Sequence, residues 1–173
     1  ELTIRLTVEV GGERDGAAVV PARLVADIVK ALPAGAVSVE LDDEEMSISA
    51  GRSQFSVRPL SLEDYPAQSE SMAEPVTLPA AVVADALRQV VRAASTDDAR
   101  AVLTGVLLAS EEDGLRLVAT DSYRLAVRDL PETTVMTSGR NVLIPGRALN
   151  ELQRVIGDVE ELSVRFGDRE ATF

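Results

Sequence analysis

The sequence predicts an α+β fold built from repeats of one unit, which consists of a strand, a helix and about three antiparallel strands. Two observations lead to this prediction. Three stretches of similar sequence each place a proline before a helical pattern of apolar residues, and alternating apolar and polar residues follow each stretch. The stretches are VVPARLVADIVKAL (19–32), TLPAAVVADALRQV (77–90) and LIPGRALNELQRVI (143–156).

Each helical stretch begins in the same way and keeps the same polar pattern. Proline is well placed at the first turn of a helix, because the N–H that it lacks would have no partner there. Aligned on this proline, the stretches match again at an acid and at a base further along, so three related helices are predicted. The matched residues are Pro21, Pro79 and Pro145, then Asp27, Asp85 and Glu151, then Lys30, Arg88 and Arg154.

Alternation with period two predicts the strands. VSVEL, EEMSISA and QFSVRPL follow the first helix, TGVLLAS, GLRLVAT and YRLAVRDL follow the second, and LSVRF follows the third. Turn residues such as Asp113-Gly114 separate neighbouring strands. The chain also opens in alternation, so a strand and a cut chain end are expected there. The alternating residues are Leu2, Ile4, Leu6 and Val8.

A polar segment divides the predicted units into two groups. SLEDYPAQSESMAEP (61–75) contains two prolines and has no periodicity, which is typical of an interdomain linker. We therefore expect one domain over residues 1–70 and a second over residues 71–173. MTSGRN (136–141) is predicted to be a loop between two repeats inside the second domain.

Composition excludes several kinds of chemistry. The chain has no cysteine and no histidine, which removes disulfides, thiolate catalysis and the commonest general base and metal ligand. No apolar run is long enough to span a membrane. We expect a cytoplasmic protein, and we expect it to hold no cofactor and no metal. The acidic run Asp42, Asp43, Glu44 and Glu45 lies between two predicted strands, so a solvated hairpin turn is favoured over a metal site.

The predicted helices carry positive charge although the whole chain has a net charge of −12. Each presents two bases and one acid on its polar face, and two interpretations stay open. The faces are ordinary solvated surfaces with local ion pairs, or they face a polyanion and bind phosphates without sequence preference. The polar residues are Arg23, Asp27 and Lys30, then Asp85, Arg88 and Arg92, then Arg147, Glu151 and Arg154. The first helix should bury Leu24, Val25, Ile28 and Leu32.

Several motifs together resemble one family. The segments are VPARLVADIVKALP, GRSQFSVRPLSLEDYP and above all LTGVLL followed by LVATDSYRLAV. They are similar to the bacterial β sliding clamps, the processivity subunits of replicative DNA polymerases, and the resemblance runs along essentially the whole chain. It implies a DNA-clamp fold with helices on one face of curved antiparallel sheets. It also implies that residues 1–70 are the later part of the first clamp domain, that residues 71–173 are most of the second, and that the third is absent.

The resemblance further implies a non-catalytic function. Two clamp chains close into a homodimeric ring that encircles double-stranded DNA, with helices lining the hole. The polymerase, the clamp loader and repair proteins bind through short apolar peptides to a pocket on the second domain, completed by the third. The pocket residues implied here are Leu103, Thr120, Ser122, Tyr123, Arg124 and Leu125. Position 122 is often glycine and position 123 often histidine in the family, so Ser122 and Tyr123 distinguish this chain from its relatives.

Two other surfaces are implied in the same way. The DNA-channel face would comprise the helix bases and one residue after the second helix. The dimer interface would include two residues of the strand in QFSVRPL. The channel residues are Arg23, Lys30, Arg88, Arg92, Arg100, Arg147 and Arg154, and the interface residues are Phe55 and Val57.

The alternatives belong to other classes of function. An enzyme has little support, since no glycine-rich phosphate loop and no histidine or cysteine nucleophile–base pair are present. A β-rich protein-interaction module without a DNA role stays open. The discriminating observation is whether the helix bases share one concave face.

Overall fold

The computed structural model describes residues 2–42, 44–66, 73–157, 159–167 and 170–173. It divides into two compact units, Thr3–Ser69 and Glu70–Phe173. Of the predicted linker, residues 67–72 lie outside the described residues, and the preceding part contains a short 3-10 helix at Leu62–Asp64. No helix in the described part of the chain is long and apolar enough to cross a membrane.

The first unit packs one helix against one small sheet. Helix α1 (Ala22–Ala31) is followed by β1 (Ser38–Leu41), β2 (Met46–Ala50) and β3 (Ser53–Val57), which form an antiparallel sheet in the order β1-β2-β3. Proline fixes φ near its helical value, and α1 begins directly after Pro21, whose carbonyl accepts a hydrogen bond from the N–H of Val25 at 3.1 Å. The predicted helix and its three strands are therefore confirmed.

Helix α1 buries fewer apolar residues in the core of this unit than the helical pattern predicted. Ile28 is buried against the strands, with Val25 and Leu32 half-buried beside it. Leu24 is 48% exposed, so its predicted burial is wrong. The reason is geometric: Leu24 lies at the margin of the apolar sector, and a single three-stranded sheet covers only the middle of that sector.

The strand predicted at the start of the chain is also wrong. Residues 2–12 have no regular secondary structure, and their apolar side chains, such as Leu6 and Val10, are exposed. Alternation supplies a face to bury but no hydrogen-bonding partner, and none of the described strands pairs with this segment. A period-two pattern alone is therefore not enough to form a strand.

The second unit contains two helices and two antiparallel sheets. The four-stranded sheet has the order β7-β6-β5-β8 and the three-stranded sheet the order β10-β9-β4. Two 3-10 helices, Val91–Ala93 and Asp98–Thr104, connect α2 to β5. The elements are β4 (Val76–Pro79), α2 (Ala80–Val90), β5 (Gly105–Glu111), β6 (Gly114–Thr120), β7 (Leu125–Pro131), β8 (Asn141–Pro145), α3 (Gly146–Ile156), β9 (Glu161–Phe166) and β10 (Ala171–Thr172).

An aliphatic core lies between the helices and the sheets. Helices α2 and α3 contact each other, and α2 lies against β6 and β7 while α3 lies against β5 and β8. Their apolar faces place Leu87 and Leu149 at the centre, with 2% and 1% of their surface exposed. Val106 and Leu117 meet them from the four-stranded sheet. The predicted arrangement of helices on one side of an antiparallel sheet is thus confirmed.

Two turns explain how neighbouring strands are joined. Gly114 opens β6 with φ of 150°, and a β-carbon at this position would lie 2.2 Å from the carbonyl oxygen of Leu130, so only glycine fits. In the acidic turn between β1 and β2, Oδ1 of Asp42 accepts the N–H groups of Glu44 and Glu45 at 2.9 and 2.7 Å. The described residues of this run thus form the predicted hairpin turn, while Asp43 lies outside the described part.

Candidate functional site

The turn between β6 and β7 is held by its own side chains. Asp121 Oδ1 accepts hydrogen bonds from the N–H groups of Tyr123 and Arg124, both at 3.0 Å, and its Oδ2 accepts from Nε of Arg124 at 2.9 Å. The N–H of Tyr123, then that of Arg124, holds the pKa of the Asp121 carboxyl below its ordinary value of 3.8. The turn is therefore ordered before any ligand arrives.

Thr120 and Ser122 complete this network. The hydroxyl of Thr120 donates to the carbonyl of Arg124 at 2.7 Å and accepts the N–H of Ser122 at 3.1 Å. Ser122 has φ of 81°, in the left-handed region that glycine adopts without steric penalty. A serine in this conformation is strained, and the neighbouring hydrogen bonds hold it there.

The turn presents apolar side chains outward. Tyr123 is 94% exposed, and Leu125 and Val127 on the outward side of β7 are 66% and 50% exposed. Ala126 and Leu130, on the opposite side of the strand, are half-buried and buried. Leu125 is thus a surface residue of the described chain and not part of its core.

A second wall approaches this turn from the Asp98–Thr104 segment. Arg100 has non-helical dihedral angles of −117° and 62°, so the segment kinks there. The NH1 group of Arg100 donates to Oγ of Ser122 at 3.1 Å, while its Nε donates to Oδ2 of Asp97 at 3.1 Å. Leu103, on the same segment, is half-buried. The structure thus brings Arg100, expected at the DNA channel, into contact with Ser122, one of the residues expected in the peptide pocket, and a place for Arg100 at the channel stays a prediction.

The helical segments of the second unit carry four exposed arginines: Arg88 on α2, Arg92 on the 3-10 helix that follows it, and Arg147 and Arg154 on α3. Arg88 pairs with Asp85 and Arg154 with Glu151, both within one helix. Arg92 and Arg147 are exposed and form no ion pair within the described residues. The predicted local pairing is therefore present, but two arginines of the face keep uncompensated charge.

Arg128 is a basic residue that the helical pattern could not identify. It lies on the helix side of β7, its NH2 group is 3.8 Å from Oδ2 of Asp85, and its buried Nε has no hydrogen-bond partner in the described structure. Asp85 also accepts from Arg88 and from Gln89. The available signal was the strand alternation, which separates Arg128 from Leu125 and Val127.

The first unit carries its own predicted bases and interface residues. Arg23 and Lys30 are exposed on α1, with Lys30 4.0 Å from Asp27. Phe55 is half-buried and Val57 only 2% exposed, because alternation directs both toward α1. Val57 is a core residue of the described chain with little surface for a partner, which differs from its expected interface position. An interface role for Phe55 stays a prediction.

The described residues contain no cluster of three or more acids that could hold a metal ion. Several acidic side chains are engaged by backbone N–H groups or by arginines, as those of Asp42, Asp121 and Glu151 are. Asp129 and Glu111, for example, pair with Arg116 at 2.6 and 3.4 Å on the outward side of the sheet.

Comparison with known proteins gives the same family for both units. Residues 1–69 match the model of the N-terminal domain of the DNA polymerase III beta subunit, and residues 77–173 match that of its central domain. The beta sliding clamp of Micrococcus luteus is 36% identical over 96% of this chain and 54% of its own length. That of Streptomyces coelicolor is 35% identical over 90% and 42%. The chain thus spans about half the length of these curated relatives.

Solved structures agree with the sequence matches. The DNA polymerase sliding clamp of Bacillus subtilis has a TM-score of 0.81 and 31% identity, covering 90% of this chain and 42% of that one. A sliding clamp of Pseudomonas aeruginosa, solved bound to griselimycin, has a TM-score of 0.77 and 28% identity, covering 86% and 41%. The fold is therefore that of the clamps.

Proposed function

The chain belongs to the DNA polymerase III beta subunit family, the beta sliding clamps, and from this premise we propose that it tethers the replicative DNA polymerase to duplex DNA. The observation that carries the proposal is the match of two successive units, in order, to the N-terminal and central domain models of one family. In this proposal residues 1–70 belong to the first clamp domain and residues 71–173 to the second. The role is non-catalytic.

DNA is held by enclosure and weak contact. In the full-length protein two copies form a ring around the duplex, with Phe55 contributing to the contact between subunits. The exposed bases of the helices then face the phosphates, supported by Arg92 and Arg147, which form no ion pair with any residue that the structure describes. Phosphate contacts carry no sequence information, so a clamp bound only through them can slide. The acidic remainder of the chain disfavours binding of DNA to other surfaces.

Protein partners bind at the turn between β6 and β7. Tyr123 and Leu125 offer exposed apolar surface, and Leu103 lies on the neighbouring segment that Arg100 joins to the turn. An apolar surface beside ordered polar groups suits a short apolar peptide, since the polar groups fix its orientation. We place Arg100 with this pocket and the remaining predicted bases with the DNA face. The polymerase, the clamp loader and repair proteins would share the pocket.

A primer-extension assay tests the function. The full-length protein, loaded on primed DNA with the polymerase and loader of the same organism, should lengthen the product made in one binding event at least tenfold. A tethered polymerase rebinds the primer end before it diffuses away, because its effective concentration is high. The matched control is the Leu125→Asp variant, which should not lengthen products, because the polymerase and the loader both bind the pocket that this change disrupts. Equal product lengths with and without the protein would reject the proposal and favour an interaction module without a DNA role.

A further inference from the structure

We propose that Arg100 and Ser122 form a latch that positions the two walls of the peptide pocket, so that Arg100 acts on peptide binding through Ser122. Both are positioning residues in this respect. The inference rests on the peptide-binding role proposed above. It adds a function for a contact that joins positions 22 residues apart in the sequence.

One half of the latch is built on the Asp98–Thr104 segment. The carboxylate of Asp97 accepts the N–H of Ala99 on one oxygen and Nε of Arg100 on the other, both at 3.1 Å. The guanidinium is planar and rigid, so fixing Nε also fixes the direction of NH1. NH1 then reaches Oγ of Ser122 at 3.1 Å. The kink at Arg100 directs its side chain across to the turn.

The other half is the strained residue of the turn. At φ of 81° glycine would be free of steric strain, whereas serine is not. Serine, however, supplies the hydroxyl that accepts the hydrogen bond of Arg100, which glycine cannot supply. The backbone of Ser122 is held independently by Thr120, so its hydroxyl remains available for Arg100.

The latch joins the two segments that carry the predicted apolar residues of the pocket. Leu103 follows Arg100 by three residues on one segment, and Leu125 follows Ser122 by three residues on the other. A pocket whose walls are already at their bound separation loses less conformational freedom when a peptide binds. Breaking the latch should therefore weaken peptide binding while the turn itself persists, because Asp121 and Thr120 still hold it.

A double-mutant cycle tests the latch. A fluorescein-labelled peptide derived from the replicative polymerase of the same organism is titrated with the full-length protein by fluorescence anisotropy. Arg100→Ala and Ser122→Ala should each weaken binding about 3- to 10-fold, and the double variant should be no weaker than the weaker single variant. Arg100→Lys should not restore affinity, since one ammonium cannot reproduce the guanidinium that reaches both Asp97 and Ser122.

A glycine variant separates the effect of backbone strain at Ser122 from the effect of losing its hydroxyl. Ser122→Gly relieves the backbone strain but lacks the hydroxyl, so it should bind as weakly as Ser122→Ala. Wild-type affinity in the glycine variant, or additive losses in the double variant, would overturn the latch. Affinity of the wild type equal to that of Leu125→Asp would instead reject the pocket itself. Unchanged circular dichroism in each variant confirms that folding is intact.

Discussion

At the scale of single residues, the turn between β6 and β7 combines strain with order. Ser122 adopts a conformation that disfavours side chains, yet Thr120 and Asp121 each hold two backbone groups of the same turn. Local hydrogen bonds of this kind define a turn more strictly than sequence composition does. A residue such as Tyr123 can therefore remain almost fully exposed while its backbone position is fixed.

The ionised carboxylate of Asp121 should sustain this order at neutral pH. Its folded-state pKa is lowered chiefly by the N–H of Tyr123, so its contribution is complete above the unfolded pKa and is lost as pH falls through the folded value. Carbon-13 titration should give a midpoint below 3.8 for Asp121, and the amide resonances of Tyr123 and Arg124 should move at the same pH.

The matched control for this titration is Asp121→Asn. The amide oxygen can still accept a backbone N–H, but its NH₂ group cannot accept from Arg124 as Oδ2 does. The acid-induced movement of the two amide resonances should disappear in this variant. A midpoint of 3.8 or higher in the wild type would contradict the role assigned to Asp121.

At the scale of elements, the sequence predicted the helices and strands whose formation depends on residues close together in the chain. The prolines and the helical apolar pattern predicted α1, α2 and α3, and period-two alternation predicted β1, β2, β3, β5, β6, β7 and β9. It did not predict β10, which pairs with β9. The strand expected at Leu2–Val8 failed because pairing depends on residues distant in sequence. The same reason explains why the Arg100–Ser122 and Arg128–Asp85 contacts could not be predicted, since each joins different elements.

The packing of α3 against the sheets should contribute strongly to the free energy of unfolding of the second unit. Leu149 is 1% exposed at the centre of the core, so Leu149→Ala removes apolar contacts and leaves a cavity. The expected loss in the free energy of unfolding is about 2–5 kcal/mol, measured by urea unfolding followed by circular dichroism. Val155→Ala on the exposed side of α3 is the control and should change it by less than about 0.5 kcal/mol. A smaller effect for Leu149 than for Val155 would contradict the packing.

At the scale of the whole molecule, charge is distributed unevenly. The chain has a net charge of −12, yet residues 80–93 and 146–156 together carry four arginines and two acids. A local positive surface within an acidic chain attracts phosphate at one place and repels it elsewhere. For a proposed clamp this is useful because contact with DNA must be weak enough to permit sliding.

Reversing one charge on this face should reduce DNA retention without affecting peptide binding. Arg92 forms no ion pair within the described residues, and its Nε donates to the carbonyl of Arg88 at 3.0 Å, so Arg92→Glu replaces an attraction to phosphate by a repulsion without leaving an acid unpaired. We expect full-length clamps carrying it to dissociate from loaded circular DNA about 3- to 10-fold faster after the circle is cut. The dependence of the logarithm of affinity on that of salt concentration should fall by about 1.

Arg165→Glu gives the same change in net charge on an exposed position of β9 and serves as the matched control. If binding depended only on total charge, both variants would lose DNA equally, because each makes the chain more acidic by the same amount. A specific loss in Arg92→Glu, with unchanged affinity for the polymerase-derived peptide, requires that the 3-10 helix Val91–Ala93 at the end of α2 face the duplex while the β6–β7 turn faces partners. Equal loss in both variants would reject the helix face as the DNA-contacting surface.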